Sequence, residues 1–149
     1  MKKLTLTAIL LSLLCFGMKA NAAGVGYIDY GKVMENYSFA QQAIKEIDNK
    51  SLEMQQFMVD KEKQYKNLDT PLKKQNFEEQ TAREYKLKED SLMRLKTQKE
   101  EMVYNKIQSA AKQVLVEQKL DAIVDYRVIF VGGVDISDLV IQKLRSGQY

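Results

Sequence analysis

The middle of the chain is too polar to close a core. From Lys45 to Glu101, 57 residues carry 26 charged side chains, 13 of each sign, and only 16 apolar ones. The next 44 residues, Met102 to Arg145, hold 24 apolar side chains and can bury a small core. Together with the short run VGYIDY (Val25 to Tyr30), that C-terminal part reads as a head from which a polar element projects.

The polar element is predicted to be two helices. Ser38 to Leu68 contains no Gly or Pro and is rich in Gln, Lys, Glu, Met and Leu, all strong helix formers. Steps of three and four from Ile44 give Ile47, Ser51, Met54, Met58, Lys61, Tyr65 and Leu68, a heptad seam interrupted by Ser51 and Lys61. Asn67 to Pro71 then breaks the helix. Pro71, the only proline, suits a first helical turn, and Asp69 or Thr70 can cap it. The second helix runs from about Leu72 to Gln118. Its seam is loose at Phe77, Glu84, Leu87, Leu95 and Met102, then denser at Val103, Ile107, Ala110 and Val114. A helix that grows more apolar toward its end is leaving solvent for the head. Two long helices around one short turn make an antiparallel hairpin. Charged seam positions make it soft rather than rod-like.

Beyond the hairpin the pattern changes. DAIVDY (Asp121 to Tyr126) and VIFVGG (Val128 to Gly133) are β-branched and aromatic and nearly abut, which predicts a tight β-hairpin. Asp135-Ile136-Ser137-Asp138 offers capping oxygens to a last helix carrying Leu139, Val140, Ile141 and Leu144. With VGYIDY as third strand and a helical turn near Lys32 to Asn36, the sheet is small and its edges are open. The fold class is α+β: a long antiparallel helical hairpin, a coiled-coil arm, projecting from a small β head completed by other copies of the chain. Val25, Tyr27, Ile28, Val124, Val128, Ile129 and Phe130 are the expected assembly residues of that head.

The N-terminus reads as an export signal. Lys2 and Lys3 precede an apolar stretch from Leu4 to Met18, and Ala20-Asn21-Ala22 gives the small-x-small pattern of a cleavage site, placing the cut between Ala22 and Ala23. The apolar run is shorter than the roughly 20 residues of a membrane span, so no stable insertion is expected. Cys15 lies inside that run behind Leu14, which disfavours a lipid anchor and removes the only cysteine on cleavage. The organisation is therefore 1–22 signal; 23–37 head, with strand and helical turn; 38–118 arm, with its tip near 67–72; and 119–149 head, with strand pair and final helix. The expected location is outside the cytoplasm.

Composition excludes several functions. The chain has no His, so Ser-His-Asp or Cys-His catalysis and His-ligated metals are out. The net charge of +3 comes from Lys2, Lys3 and Lys19, in a segment with no acid; the remainder balances at 20 against 20. A nucleic-acid binder carries a basic excess that is missing here. Asp29, Asp125, Asp135 and Asp138 fit strand ends and helix caps better than acid/base chemistry. Neither Gly24-Val25-Gly26 nor Gly132-Gly133 has phosphate-loop spacing. No enzyme, cofactor or metal is expected.

The order of elements, with VGYIDYGKVME (Val25 to Glu35) and LDAIVDYRVIFVGGVDISDLVIQKL (Leu120 to Leu144), resembles the OmpH/Skp family of periplasmic chaperones. Val124-Asp125 and Asp135-Ile136-Ser137-Asp138 fall on that family's C-terminal pattern. The resemblance implies a homotrimer whose arms surround a cavity and hold unfolded outer-membrane proteins without ATP. The best-known members have strongly basic arms, and these arms are neutral, so no lipopolysaccharide site is carried over. The expected function is an ATP-independent holdase; the alternative is a coiled-coil spacer or adaptor for one envelope partner. Met54, Phe57 and Met58 form an adaptable apolar cluster on the first arm helix. Met54 and Met58 fit the seam and Phe57 does not, which makes Phe57 the leading client contact, with Leu52, Leu92 and Met93 as companions.

Overall fold

The computed structural model describes residues 24–147, so the expected signal (1–22) and its cleavage point at Ala22 and Ala23 lie outside the described residues. The elements in order are β1 (Gly24–Ile28), α1 (Tyr30–Asn36), α2 (Ser38–Lys66), α3 (Pro71–Glu117), β2 (Leu120–Asp125), β3 (Val134–Asp135) and α4 (Ser137–Ser146). Helices α2 and α3 pack against each other as the arm. At 1.5 Å per residue they extend roughly 45 and 70 Å. None of the helices among the described residues is long and apolar enough to cross a membrane.

Local chemistry sets the helix starts. The Asp29 carboxylate accepts from the Lys32 amide at 3.0 Å and opens α1. At the arm tip Thr70 does the capping, its hydroxyl accepting from the Lys73 amide at 3.3 Å, and Pro71 takes the first turn. Asp69 instead binds the Lys73 ammonium at 2.8 Å.

The head sheet has the order β2-β1-β3, and both pairings are parallel. This follows from the arm. It carries the chain out and back, so β2 begins beside the start of β1 and runs the same way, the long crossover a parallel pair requires. Gly26 permits the close approach: a Cβ there would lie 2.7 Å from a Leu120 methyl.

The expected β-hairpin between Asp121–Tyr126 and Val128–Gly133 does not form. A tight hairpin turn needs left-handed residues between its strands, and the lone Arg127 supplies none. Asp125 accepts from the Arg127 amide at 2.9 Å and grips its guanidinium at 2.8 Å from both carboxylate oxygens, winding Tyr126–Val128 into a 3-10 turn. Gly132 (φ 84°) and Gly133 (φ 87°) then swing the chain across to the other side of β1, where Val134 pairs with Gly26.

The core lies under this sheet. Val33 and Tyr37, then Val103, Ile107, Ala110 and Val114 of α3, meet Ile136, Val140, Ile141 and Leu144. The dense C-terminal seam of α3 is therefore head core. Ser137, fully buried, ties the two chain ends together. Its hydroxyl accepts from the Asp29 amide at 2.9 Å and donates to Asp135 at 2.6 Å.

Candidate interaction surfaces

Outside the base of the arm the two helices meet along a half-polar seam. Ala40 and Ala43 are buried where α2 leaves the head, but no side chain from 44 to 102 is fully buried. Ile47, Met54, Phe57, Lys61 and Tyr65 of α2 face Phe77, Thr81, Glu84, Lys88 and Leu92 of α3, each half-buried. Residues equidistant from the Leu72–Lys73 bond pair across it. Lys61 meets Glu84 at 2.6 Å, Glu46 meets Lys99 at 2.5 Å, and the Lys88 ammonium sits 5.0 Å from the Phe57 ring centre.

Two of the expected client contacts exchange places relative to the seam. Phe57, expected off the seam, is in it: the Lys61 and Lys88 ammoniums lie 5.1 and 5.0 Å from its ring centre. Met58, expected in the seam, is 42% exposed. Steps of three and four both keep roughly to one helical face, and stepping three from Met54 puts an aromatic ring beneath two cations, a contact worth about 0.5–2 kcal/mol. Ile44 and Leu87 likewise turn outward. Of the expected companions, Leu52 and Met93 are exposed while Leu92 is half-buried, and Met54 stays in the seam.

The outer surface differs on either side of the seam. On one side Met58 and Ala82, with the rings of Tyr65, Phe77 and Tyr85, line an open groove of about 720 Å³ near the tip. On the other, Leu52 and Val59 lie among Asn49, Glu53, Gln56 and Asp60. Tyr65 lies beside Phe77 in this groove, ring centres 6.3 Å apart.

The head carries a different surface. Phe130 is wholly exposed, Val128, Val131 and Val134 are largely so, and Val25 is partly so. Tyr27, Ile28, Val124 and Ile129 are half-buried. The expected assembly residues thus lie partly on the sheet and partly on the loop that replaces the hairpin. The outer edges of β2 and β3 have no strand beside them among the described residues.

The carboxylates weighed for acid/base chemistry are all engaged. Asp29 caps α1, Asp138 binds the Lys32 ammonium at 2.8 Å, and Asp135 is held by Ser137. Hydrogen bonds from Ser137 keep Asp135 below the usual carboxylate range, and the Arg127 guanidinium lowers Asp125 to about 2. Among the described residues no group of three or more His, Cys, Asp or Glu could hold a metal ion.

Comparison with known proteins agrees with this architecture. A family model described as outer membrane protein (OmpH-like) matches residues 24–144. No curated protein matches the chain. Among solved structures, a proposed OmpH-like outer membrane chaperone from Caulobacter crescentus CB15 is similar over 84% of this chain and 85% of that one. Its identity is 15% and its TM-score 0.39, too distant to add to the argument. The family match spans the sheet, the arm and the final helix together, and the chain belongs to the OmpH-like family.

Proposed function

We propose that the protein is an ATP-independent holdase of the periplasm, reached by cleavage between Ala22 and Ala23, which keeps unfolded outer-membrane proteins from aggregating between its arms. The observation that carries this reading is the arm itself. It has exposed apolar side chains scattered along it, Leu52, Met58, Leu72, Leu87 and Met93, rather than one extended sticky face. Such contacts suit many weak, exchangeable interactions with unrelated chains. Each contributes at most about 1.5–3 kcal/mol, so a single arm binds poorly. Three arms around one client gain about 10²–10⁴-fold from effective concentration.

The trimer is part of the same proposal. The exposed Val128, Phe130, Val131 and Val134 and the open sheet edges are apolar surface that assembly through the head would cover. Phe130→Asp is expected to dissociate it, since a charge would be buried there.

The test is removal of the arm. Residues 50 and 95 are equidistant from the tip, so deleting 50–95 and joining the stumps with a short turn leaves the head intact. The truncated protein is expected to scatter light as a trimer but not to suppress aggregation of a diluted β-barrel protein, and ATP should change nothing. Full protection by the armless protein would favour the adaptor reading instead.

A further inference from the structure

The two sides of the arm differ in what they can hold. The groove near the tip is floored by Met58, Ala82 and the rings of Tyr65, Phe77 and Tyr85, nearly all apolar. Every charge on its rim is already engaged within the chain. Lys61 binds Glu84 at 2.6 Å and Glu62 binds Lys66 at 2.6 Å. Lys86 binds Glu89 at 3.3 Å and Asp90 at 3.1 Å. Glu78 accepts from the Tyr65 hydroxyl. An acidic segment entering here would lose water and find no free counter-charge, and a basic one would find only Glu78, already bound to a hydroxyl. A neutral one loses little and gains contact with a thioether and three rings.

We propose that this groove is the gripping face of each arm, and that its occupant is a short, uncharged stretch of unfolded polypeptide bearing aromatic or long aliphatic side chains. The assignment rests on the chaperone reading above and narrows it to one side of the hairpin. The opposite side does not qualify: Leu52 and Val59 there are set among Glu53, Gln55, Gln56 and Asp60. The Met58 thioether, half exposed at the mouth, adapts to side chains of different shape. With most rim charges paired, charged segments gain little there, and selection by neutrality suits an arm whose charges balance from Lys45 to Glu101.

The test uses the whole mature protein and a labelled soluble peptide alternating Tyr or Phe with Ser or Asn, its binding followed by fluorescence anisotropy. Met58→Ser with Tyr85→Ser should weaken binding about tenfold, about 1.4 kcal/mol. Val59→Ser, on the other side, should leave it within about twofold, under 0.5 kcal/mol. Should the double variant lose helicity, Met58→Lys at its exposed position replaces it and should weaken binding similarly. A peptide with Glu or Lys in place of Ser should bind worse than the neutral one. If the parent protects a β-barrel protein but the groove variants bind the peptide as tightly as the parent does, the groove assignment is overturned and the holdase stands. If the parent neither binds nor protects, the holdase reading fails and takes the groove with it.

Discussion

From residue 44 to 102 no side chain is fully buried, whereas the head packs Val33, Ile107, Val114, Ile136, Val140 and Leu144 to within a few per cent of complete burial. One chain thus contains two kinds of stability. The head draws on apolar burial, which is cooperative: removing one core side chain loosens its neighbours. The arm draws on pairs along each helix, such as Glu62 with Lys66 and Lys86 with Asp90, and on cation–ring and ion contacts across the seam. Those are small and local. The arm can therefore bend and fray while the head stays folded, which suits a device that must fit clients of different size.

The contrast breaks most visibly in the core. Ile136, fully buried at the junction of the sheet with α4, touches the space beside Gly26 as well as the helical core. Ile136→Ala is expected to cost about 2–5 kcal/mol and to lower the melting temperature of the whole protein. A comparable truncation in the arm, Leu87→Ala, should be nearly neutral, because Leu87 is 70% exposed. Calorimetry of the two variants side by side measures the difference. Equal losses would mean that the arm is as cooperative as the head.

The next effect belongs to Ser137. Its hydroxyl joins Asp29, at the end of β1, to Asp135, at the end of β3. Ser137→Ala strands the Asp29 amide in a partly buried site and should destabilise the head by about 1–3 kcal/mol, read from the urea midpoint. Ser137→Thr keeps the hydroxyl and should recover part of the loss.

Much of this division was legible in the sequence, because it is a matter of composition. The scarcity of apolar side chains from Lys45 to Glu101 marks the arm, Pro71 its tip, and the Val103, Ile107, Ala110, Val114 spacing the point where α3 enters the head. Strand direction was not legible. The run from Val128 to Gly133 has strand-forming side chains, but the Asp125–Arg127 clamp and two left-handed glycines send it elsewhere. Propensity describes a residue's surroundings, not its partner. The Phe57 and Met58 exchange has a similar cause. A seam containing lysine is not fixed by hydrophobicity, and cations above a ring decide the register. The groove became visible only once the tip position set which residues of α2 and α3 stand opposite each other.

A smaller effect sharpens the arm. Thr81 Oγ1 is buried in the seam with no hydrogen-bond partner. Thr81→Val keeps the shape and removes the orphan hydroxyl, so arm stability should rise by about 1 kcal/mol. Slower hydrogen exchange in 74–88, with head amides unchanged, is the expected result. A loss of protection there would mean that the hydroxyl has a partner in solution.

Acid gives the gentlest separation of the two regions. In the arm, Lys61 and Gln80 hold Glu84 below the ordinary carboxylate range, and Lys66 does the same for Glu62. A carboxylate lowered by folding contributes stability above its unfolded value, and that contribution is lost as pH falls through the folded value. The seam should therefore weaken from about pH 4 downward as Glu84 takes up a proton and releases Lys61. Carboxylates also act in the head, where Asp135 is lowered by Ser137, and Asp125 to about 2 by Arg127. The folding of the head, however, rests mainly on apolar side chains that do not titrate. Hydrogen exchange between pH 5 and 3 should thus show arm amides around Lys61 and Glu84 losing protection before those of α4. Glu84→Gln should flatten that arm response, because the side chain no longer titrates, while leaving the head's unchanged. Head amides opening first would mean that the Asp125 and Asp135 contacts, rather than the seam, limit the acid stability of this fold.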